Sequence, residues 1–191
     1  PEPRVLSAAA RFVKLKLGTP VLLGHRDSIE ATARGIGVTL DHIGVIDPAT
    51  SSDLPTFVGY LDKLKRYRDL GAKEAEDIMK HPNYFAAMMV QYGQADAVVT
   101  GASETAPSTL RPLLQLIKPL PGVSKISSCT MLDLSNKRYG ERGVMLFADC
   151  AVIPEPTVTD LAHIAIETGK ICRQLTGQKP RIAFLSYSTK G

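Results

Sequence analysis

Tryptophan is absent, and aromatic residues make up only 6% of the 191 residues. With no aromatic-rich basic stripe and no polybasic tail, the chain lacks the usual equipment for stacking bases or gripping a nucleic-acid backbone. Cysteine is scarce. Cys129, Cys150 and Cys172 lie far apart, form no CxxC pair, and do not cluster with the 4 histidines. That spacing argues against a zinc centre and a disulfide framework, and it points to a reduced, cytoplasmic setting. No apolar run approaches membrane-spanning length, and no signal peptide is visible. Internal repeats and low-complexity tracts are also missing.

What remains is an ordinary globular composition, 44% hydrophobic and 22% charged. The formal charge of +4 is a mild excess, suited to small anionic ligands. The length allows one domain or parts of two. The chain opens on Pro1-Glu-Pro without methionine and stops just after an apolar run, Ile182-Ala-Phe-Leu185. An α/β unit needs a helix after such a strand, so the expectation is a fragment lacking a first strand and a C-terminal part.

Periodicity gives the elements. Arg4–Leu17 reads as a helix, Pro20–Gly24 as a buried parallel strand, Ile29–Gly35 as a helix capped by Asp27 or Ser28, and His42–Ile46 as a second strand. Leu54–Asp69 is amphipathic, with Phe57, Tyr60, Leu61, Leu64 and Tyr67 or Arg68 on one stripe. Glu74–Lys80 is a helix. Asn83 caps the next, whose buried face is Phe85, Met88, Met89 and Tyr92. Ala95–Thr100 reads as a strand. Beyond Leu120-Pro-Gly122 the pattern changes: Val123–Leu134 and Val144–Ala148 form a hairpin around a polar turn, Asn136–Gly143. Thr157 and Asp160 form a capping box before a helix that turns Leu161, Ile164, Ala165, Thr168, Cys172 and Leu175 inward, and Arg181–Ser186 is a last strand. This alternation predicts an α/β fold with a mainly parallel sheet, divided into 1–122 and 123–191.

The stretch that carries most chemical information runs from Ala97 to Lys118. A β-branched run ends at Gly101, small hydroxyl residues follow, and an apolar helix pattern begins with Arg111 in its first turns. Small residues let an anion approach the backbone, a helix N-terminus presents unpaired N–H groups, and Arg111 adds a planar donor. Thr105, Ser108 and Thr109 are residue types that donate to phosphoryl oxygens and equally cap helices, so both roles stand. Lys65 and Arg66 lie in a basic run that reads either as an anion contact or as a solvated helix face. Ser188, Thr189 and Lys190 follow a buried strand, where ligands bind in α/β folds, or form an ordinary polar loop. Asp149, at the end of a strand, is a cleft carboxylate or a turn residue. Cys129 and Cys150 are expected as buried packing residues, since no histidine is placed to activate them. His25, His42, His81 and His163 read as structural or exposed.

Three stretches in order resemble the phosphate acetyl/butyryl-transferase family: Gly101-Ala102 through Thr109-Leu-Arg-Pro-Leu-Leu-Gln-Leu-Ile-Lys118, Leu146-Phe-Ala-Asp-Cys-Ala-Val-Ile-Pro-Glu-Pro-Thr157, and Leu185-Ser-Tyr-Ser-Thr-Lys-Gly191. Weaker similarity covers Glu2–Leu6, Pro20–Gly24 and Tyr84–Met89. The resemblance implies a three-layer αβα, two-domain fold like that of the isocitrate and isopropylmalate dehydrogenases, with the site in the cleft between domains. It implies reversible transfer of an acetyl group between acetyl phosphate and coenzyme A by thiolate attack, with CoA as substrate, no tightly bound cofactor, no metal, and a homodimer. By the same resemblance Arg111 contacts phosphate-bearing parts of the substrates, Lys65 stands where the family has a CoA-contacting arginine with Arg66 beside it, and Thr105, Ser108, Thr109, Ser188, Thr189 and Lys190 face the acyl phosphate. The family's Ser-Arg pair and downstream Asp, taken as its main catalytic residues, fall beyond the position matching Gly191. Within the match, Ala106 replaces a hydroxyl residue, Ser108 a carboxylate, and Ile153 the usual Asn. Phosphate butyryltransferase, or a non-catalytic acetyl-CoA-binding regulatory domain like that fused to malic enzyme, are the alternative readings.

Overall fold

The structure is a computed structural model, and it describes residues 2–64, 67, 69–119, 121 and 125–185. The chain divides into two compact units, Pro1–Lys118 and Pro119–Gly191. The first unit holds α1 (Pro3–Lys14), β1 (Val21–Leu23), α2 (Arg26–Gly35), β2 (Gly44–Ile46), α3 (Leu54–Leu61), α4 (Ala72–Met79), α5 (Pro82–Gln91) and α6 (Ala106–Leu116). The second holds β3 (Thr130–Asp133), β4 (Val144–Phe147) and α7 (Val158–Thr176).

In the first unit β1 and β2 pair in parallel, with Leu22 opposite Val45. Gly44 eases that pairing, since a Cβ there would stand a tight 3.2 Å from Val21 Cγ2. Helices α1 and α2 cover the pair through Leu6, Ala9, Leu22 and Ile29, with Leu40, Ile43 and Val45 at the margin. A second core gathers the remaining helices around Phe57, Leu61, Met79, Phe85, Met88 and Leu116, all essentially inaccessible to solvent. The Phe57 and Phe85 rings stand 4.9 Å apart and tilted, the geometry aromatic pairs favour.

The amphipathic stretch that begins at Leu54 is helical only to Leu61. Beyond it the backbone tightens to successive i→i+3 bonds, Lys63 to Tyr60, Leu64 to Leu61 and Tyr67 to Leu64. The apolar stripe survives this change, and Tyr67 is buried. His81, not Asn83, caps α5, because Pro82 is pre-set for the first helical position and the His81 Nδ1 accepts from Asn83 N.

Two predicted strands are not strands in the structure. Ala95–Thr100 and the described part of Arg181–Ser186 carry no regular secondary structure, and no described neighbour forms a ladder with either. Some of their apolar residues are left open, Val99 fully exposed and Leu185 82% exposed, while Ala95 packs against the core. A strand is made by its partner, so apolar, β-branched composition alone does not produce one. The described residues hold two separate two-stranded sheets, the parallel β1–β2 pair in the first unit and the antiparallel β3–β4 pair in the second.

The predicted hairpin is present with a shorter first arm, Thr130 opposite Phe147 and Asp133 opposite Val144. Its turn depends on Gly140 at φ +57°, where a Cβ would strike the Val144 carbonyl at 2.1 Å. The capping box before α7 is formed as read: Thr157 Oγ1 accepts from Asp160 N, and Asp160 Oδ2 accepts from Thr157 N. The inward face of α7 is narrower than expected. Ile164 and Gly169 are buried, while Leu161 and Leu175 are exposed. Gly169 lets the Pro180–Ile182 segment lie close, since a Cβ there would stand 3.3 Å from Ile182 Cδ1.

Candidate functional site

The loop before α6 is fixed from two sides, by Asn83 on α5 and by Glu2 and Arg4 at the start of α1. Asn83, on α5, accepts from Thr100 Oγ1 at 2.8 Å and donates through Nδ2 to the Ser108 carbonyl at 3.2 Å. That second bond has a cause in the sequence. Pro112 sits inside α6 and has no N–H, so the carbonyl four residues earlier, Ser108 O, loses its helical partner. Asn83 supplies the missing donor. From the N-terminus, Arg4 Nη2 donates to Ala102 O at 2.9 Å, and Ser103 Oγ donates to Glu2 Oε2 at 3.0 Å. The Arg4 guanidinium and Ser103 hydroxyl together hold the Glu2 carboxyl at about 2. Gly101 turns the chain at φ +101°.

The hydroxyls of the loop are engaged with the protein. Thr105 is the N-cap of α6, its Oγ1 accepting from Ser108 N at 3.4 Å. Ser108 Oγ lies 2.7 Å from Glu104 Oε2 and 2.8 Å from Thr105 O. Thr109 is buried, and its hydroxyl donates back to the Ala106 and Thr105 carbonyls at 2.9 and 3.3 Å. Arg111 differs. It is exposed on the outer face of α6, and no described carboxylate lies within ion-pair distance of it. With Pro107, Leu110, Leu114 and Gln115 it lines a shallow groove along that face. Apolar walls and one free guanidinium suit a ligand with an anionic group on an apolar stem. Lys65, Arg66, Ser188, Thr189 and Lys190 lie outside the described residues.

In the second unit the Asp149 carboxylate is a knot. Oδ1 accepts from Ser128 N at 2.9 Å, from Ala151 N at 3.1 Å, from Val152 N at 3.3 Å and from the Ser128 hydroxyl, while Oδ2 accepts from Ile153 N at 2.6 Å. Burial alone would raise its pKa. The Ser128 hydroxyl and the N–H groups of Ala151, Ser128 and Ile153 outweigh that and hold it at about 2. A carboxylate so satisfied organises the 149–153 loop and is a poor proton acceptor. Cys129 and Cys150 are exposed, which corrects the expectation of buried packing residues: they stand just outside the paired arms of the hairpin, before Thr130 and after Phe147. The surroundings of Cys129 push its thiol pKa up, desolvation first and Cys150 second, the wrong direction for a nucleophile. Of the histidines, His25 pairs with Asp47 at 2.8 Å and His81 caps α5.

The contacts of Glu2, Arg4 and Asn83 with the loop escape a sequence reading because each bridges distant positions. Only Pro112, as a proline inside a helix, signals that some donor must serve Ser108 O. Among the described residues no group of acidic, histidine and cysteine side chains could hold a metal ion, and no helix is long and apolar enough to cross a membrane.

The model for phosphate acetyl/butaryl transferases matches residues 1–191. The phosphate acetyltransferase of Thermoanaerobacterium thermosaccharolyticum is 38% identical over 190 residues, covering 100% of this chain and 57% of that protein. That of Treponema pallidum is 40% identical over 192 residues, with the same coverage. Among solved structures, a phosphotransacetylase from Streptococcus pyogenes superposes with a TM-score of 0.86 at 32% identity, covering all of this chain and 56% of that one. The EutD phosphotransacetylase from Staphylococcus aureus gives 0.81 at 33% identity, covering all of this chain and 55% of that one. The chain thus spans a little over half the length of the relatives it matches. With the family model matched along the entire sequence and the fold shared with solved members, the chain belongs to the phosphate acetyl/butaryl transferase family.

Proposed function

We propose that the protein carrying this chain is a phosphate acetyltransferase, and that the groove of α6 binds a phosphate-bearing part of coenzyme A or of acetyl phosphate. The observation that carries the reading is Arg111: an exposed guanidinium without a described ion-pair partner, on a helix whose N-terminal loop is hydrogen-bonded to α5 on one side and to the start of α1 on the other. The names of the relatives supply the reaction class. The finer architecture that goes with it is a three-layer, two-domain fold like that of isocitrate and isopropylmalate dehydrogenases. CoA acts as substrate rather than resident cofactor, and the enzyme works as a cytoplasmic homodimer.

The chemistry asked of the site is simple. The CoA thiol loses its proton to a base, sulfur bonds to the acetyl carbon, and the carbon–oxygen bond to phosphate breaks. A thiol of pKa about 8.5 is only a few per cent thiolate at neutral pH, so positive charge or a base near the sulfur raises the rate. Negative charge grows on the carbonyl oxygen and the departing phosphate. Arg111 supplies a fixed positive charge for an anionic group. The engaged hydroxyls of Thr105, Ser108 and Thr109 hold the helix start in shape. They also donate to phosphoryl oxygens where a bound anion displaces Glu104 from Ser108. Ser188, Thr189 and Lys190 are proposed to face the acyl phosphate, and Lys65 and Arg66 to face CoA.

Steady-state kinetics of the full-length protein test this assignment. Arg111→Ala is expected to raise KM for CoA, acetyl phosphate or both by about tenfold or more, the loss of one charge-assisted contact. Near-normal kinetics for both substrates would remove Arg111 from the site.

A further inference from the structure

One turn beyond Arg111 on α6 stands Gln115, half-buried and lining the same groove. Its amide oxygen is the meeting point of two tyrosines from separate parts of the first unit. The Tyr84 hydroxyl, on α5, donates to Gln115 Oε1 at 2.9 Å. The Tyr67 hydroxyl, on the tight turns after α3, donates to the same oxygen. Two donors use both lone pairs of one amide oxygen. Among the described residues no acceptor is hydrogen-bonded to its NH2 group. The residue as a whole reaches the groove, and the pattern of its partners leaves the donor end for whatever enters there.

Tyr67 also belongs to the basic run Lys63-Leu-Lys-Arg-Tyr-Arg68. Its bond to Gln115 ties Tyr67 itself to α6. The groove so built has an apolar floor of Pro107, Leu110 and Leu114, a cation at Arg111, and an oriented amide at Gln115.

We propose that Gln115 is a substrate-recognition residue of the α6 groove, held by Tyr67 and Tyr84 so that its NH2 group donates to an acceptor oxygen on the ligand that Arg111 anchors. The proposal rests on the CoA-binding reading of the groove, and the ligand it concerns is the phosphopantetheine arm of coenzyme A. That arm carries phosphate, carbonyl and hydroxyl oxygens on an apolar chain. Residues at i and i+4 share a helix face, with Cβ atoms about 5–6 Å apart, so the guanidinium and the amide can engage one ligand at two of its oxygens.

The test uses the full-length protein, with calorimetric titration of CoA and steady-state KM values for CoA and acetyl phosphate. Gln115→Glu keeps the acceptor for both tyrosines and replaces the donor by a repelling oxygen. It is expected to weaken CoA binding about tenfold or more, with KM for acetyl phosphate and the melting temperature near wild type. Gln115→Met removes both functions and is expected to weaken CoA binding about three- to tenfold. Tyr84→Phe removes one tether and is expected to cost about two- to fivefold, and nothing further on top of Gln115→Met. If both Gln115 variants bind CoA within twofold of wild type while Arg111→Ala does not, the Gln115 proposal is overturned and the groove reading stands. If Arg111→Ala also binds CoA normally, the groove reading falls and takes the Gln115 proposal with it.

Discussion

Pro112 and Asn83 form a pair that neither residue explains alone. The proline removes a donor from α6, and the asparagine, brought from α5, restores one to the Ser108 carbonyl while also holding Thr100. Asn83→Leu leaves that carbonyl and the Thr100 hydroxyl without their partner, and it is expected to destabilise the first unit by about 2–3 kcal/mol in denaturant unfolding. Pro112→Ala in that background returns an N–H to the helix and is expected to recover part of the loss, a coupling that a double-mutant cycle reads directly. Equal losses in the single and double variants would show that the Ser108 bond is not the link. At this scale the sequence displays residue types well and their partners poorly. Arg111 stands out as a cation beside a small-residue loop. Nothing local ties Glu2 to Ser103 or Arg4 to Ala102, because those contacts depend on how α1 returns to the loop.

At the scale of elements, helices are legible because their caps and stripes are local. The Thr157–Asp160 box and the α5 face follow from spacing alone. Strands are less so, because pairing is not local. The apolar runs Ala95–Thr100 and Ile182–Leu185 carry strand composition without a described ladder. The 149–153 loop after β4 shows a different dependence, on charge. Asp149 titrates at about 2 in the folded chain against a reference of 3.8. A depressed carboxylate stabilises the fold fully above the unfolded value, and the gain disappears as pH falls through the folded one. Lys125 and Thr157 depress Asp160 in the same way, to about 2. The second unit is therefore expected to lose stability between about pH 4 and pH 2. Asp149→Asn is expected to flatten part of that dependence while costing about 1–2 kcal/mol at neutral pH, since an amide keeps one acceptor oxygen where the carboxylate uses two and turns an NH2 group toward the remaining N–H donors. Thermal melts of both proteins across that pH range check it, and an unchanged acid slope in the variant would assign the sensitivity to other groups.

For the molecule as a whole, the family was legible because three separated stretches agree in order and spacing, which no single loop could have established. The detailed site was less legible. The loop hydroxyls that composition offers to a phosphate are also the groups that shape the start of α6, and only the geometry distinguishes them from Arg111. The central claim is that this chain belongs to a working phosphate acetyltransferase. The direct measurement is to express the full-length protein, mix it with CoA and acetyl phosphate, and follow thioester formation by absorbance. The account predicts turnover that requires both substrates and releases one phosphate per thioester formed. Acetyl-CoA binding without any thioester exchange would contradict it and assign the protein a regulatory, ligand-sensing role instead.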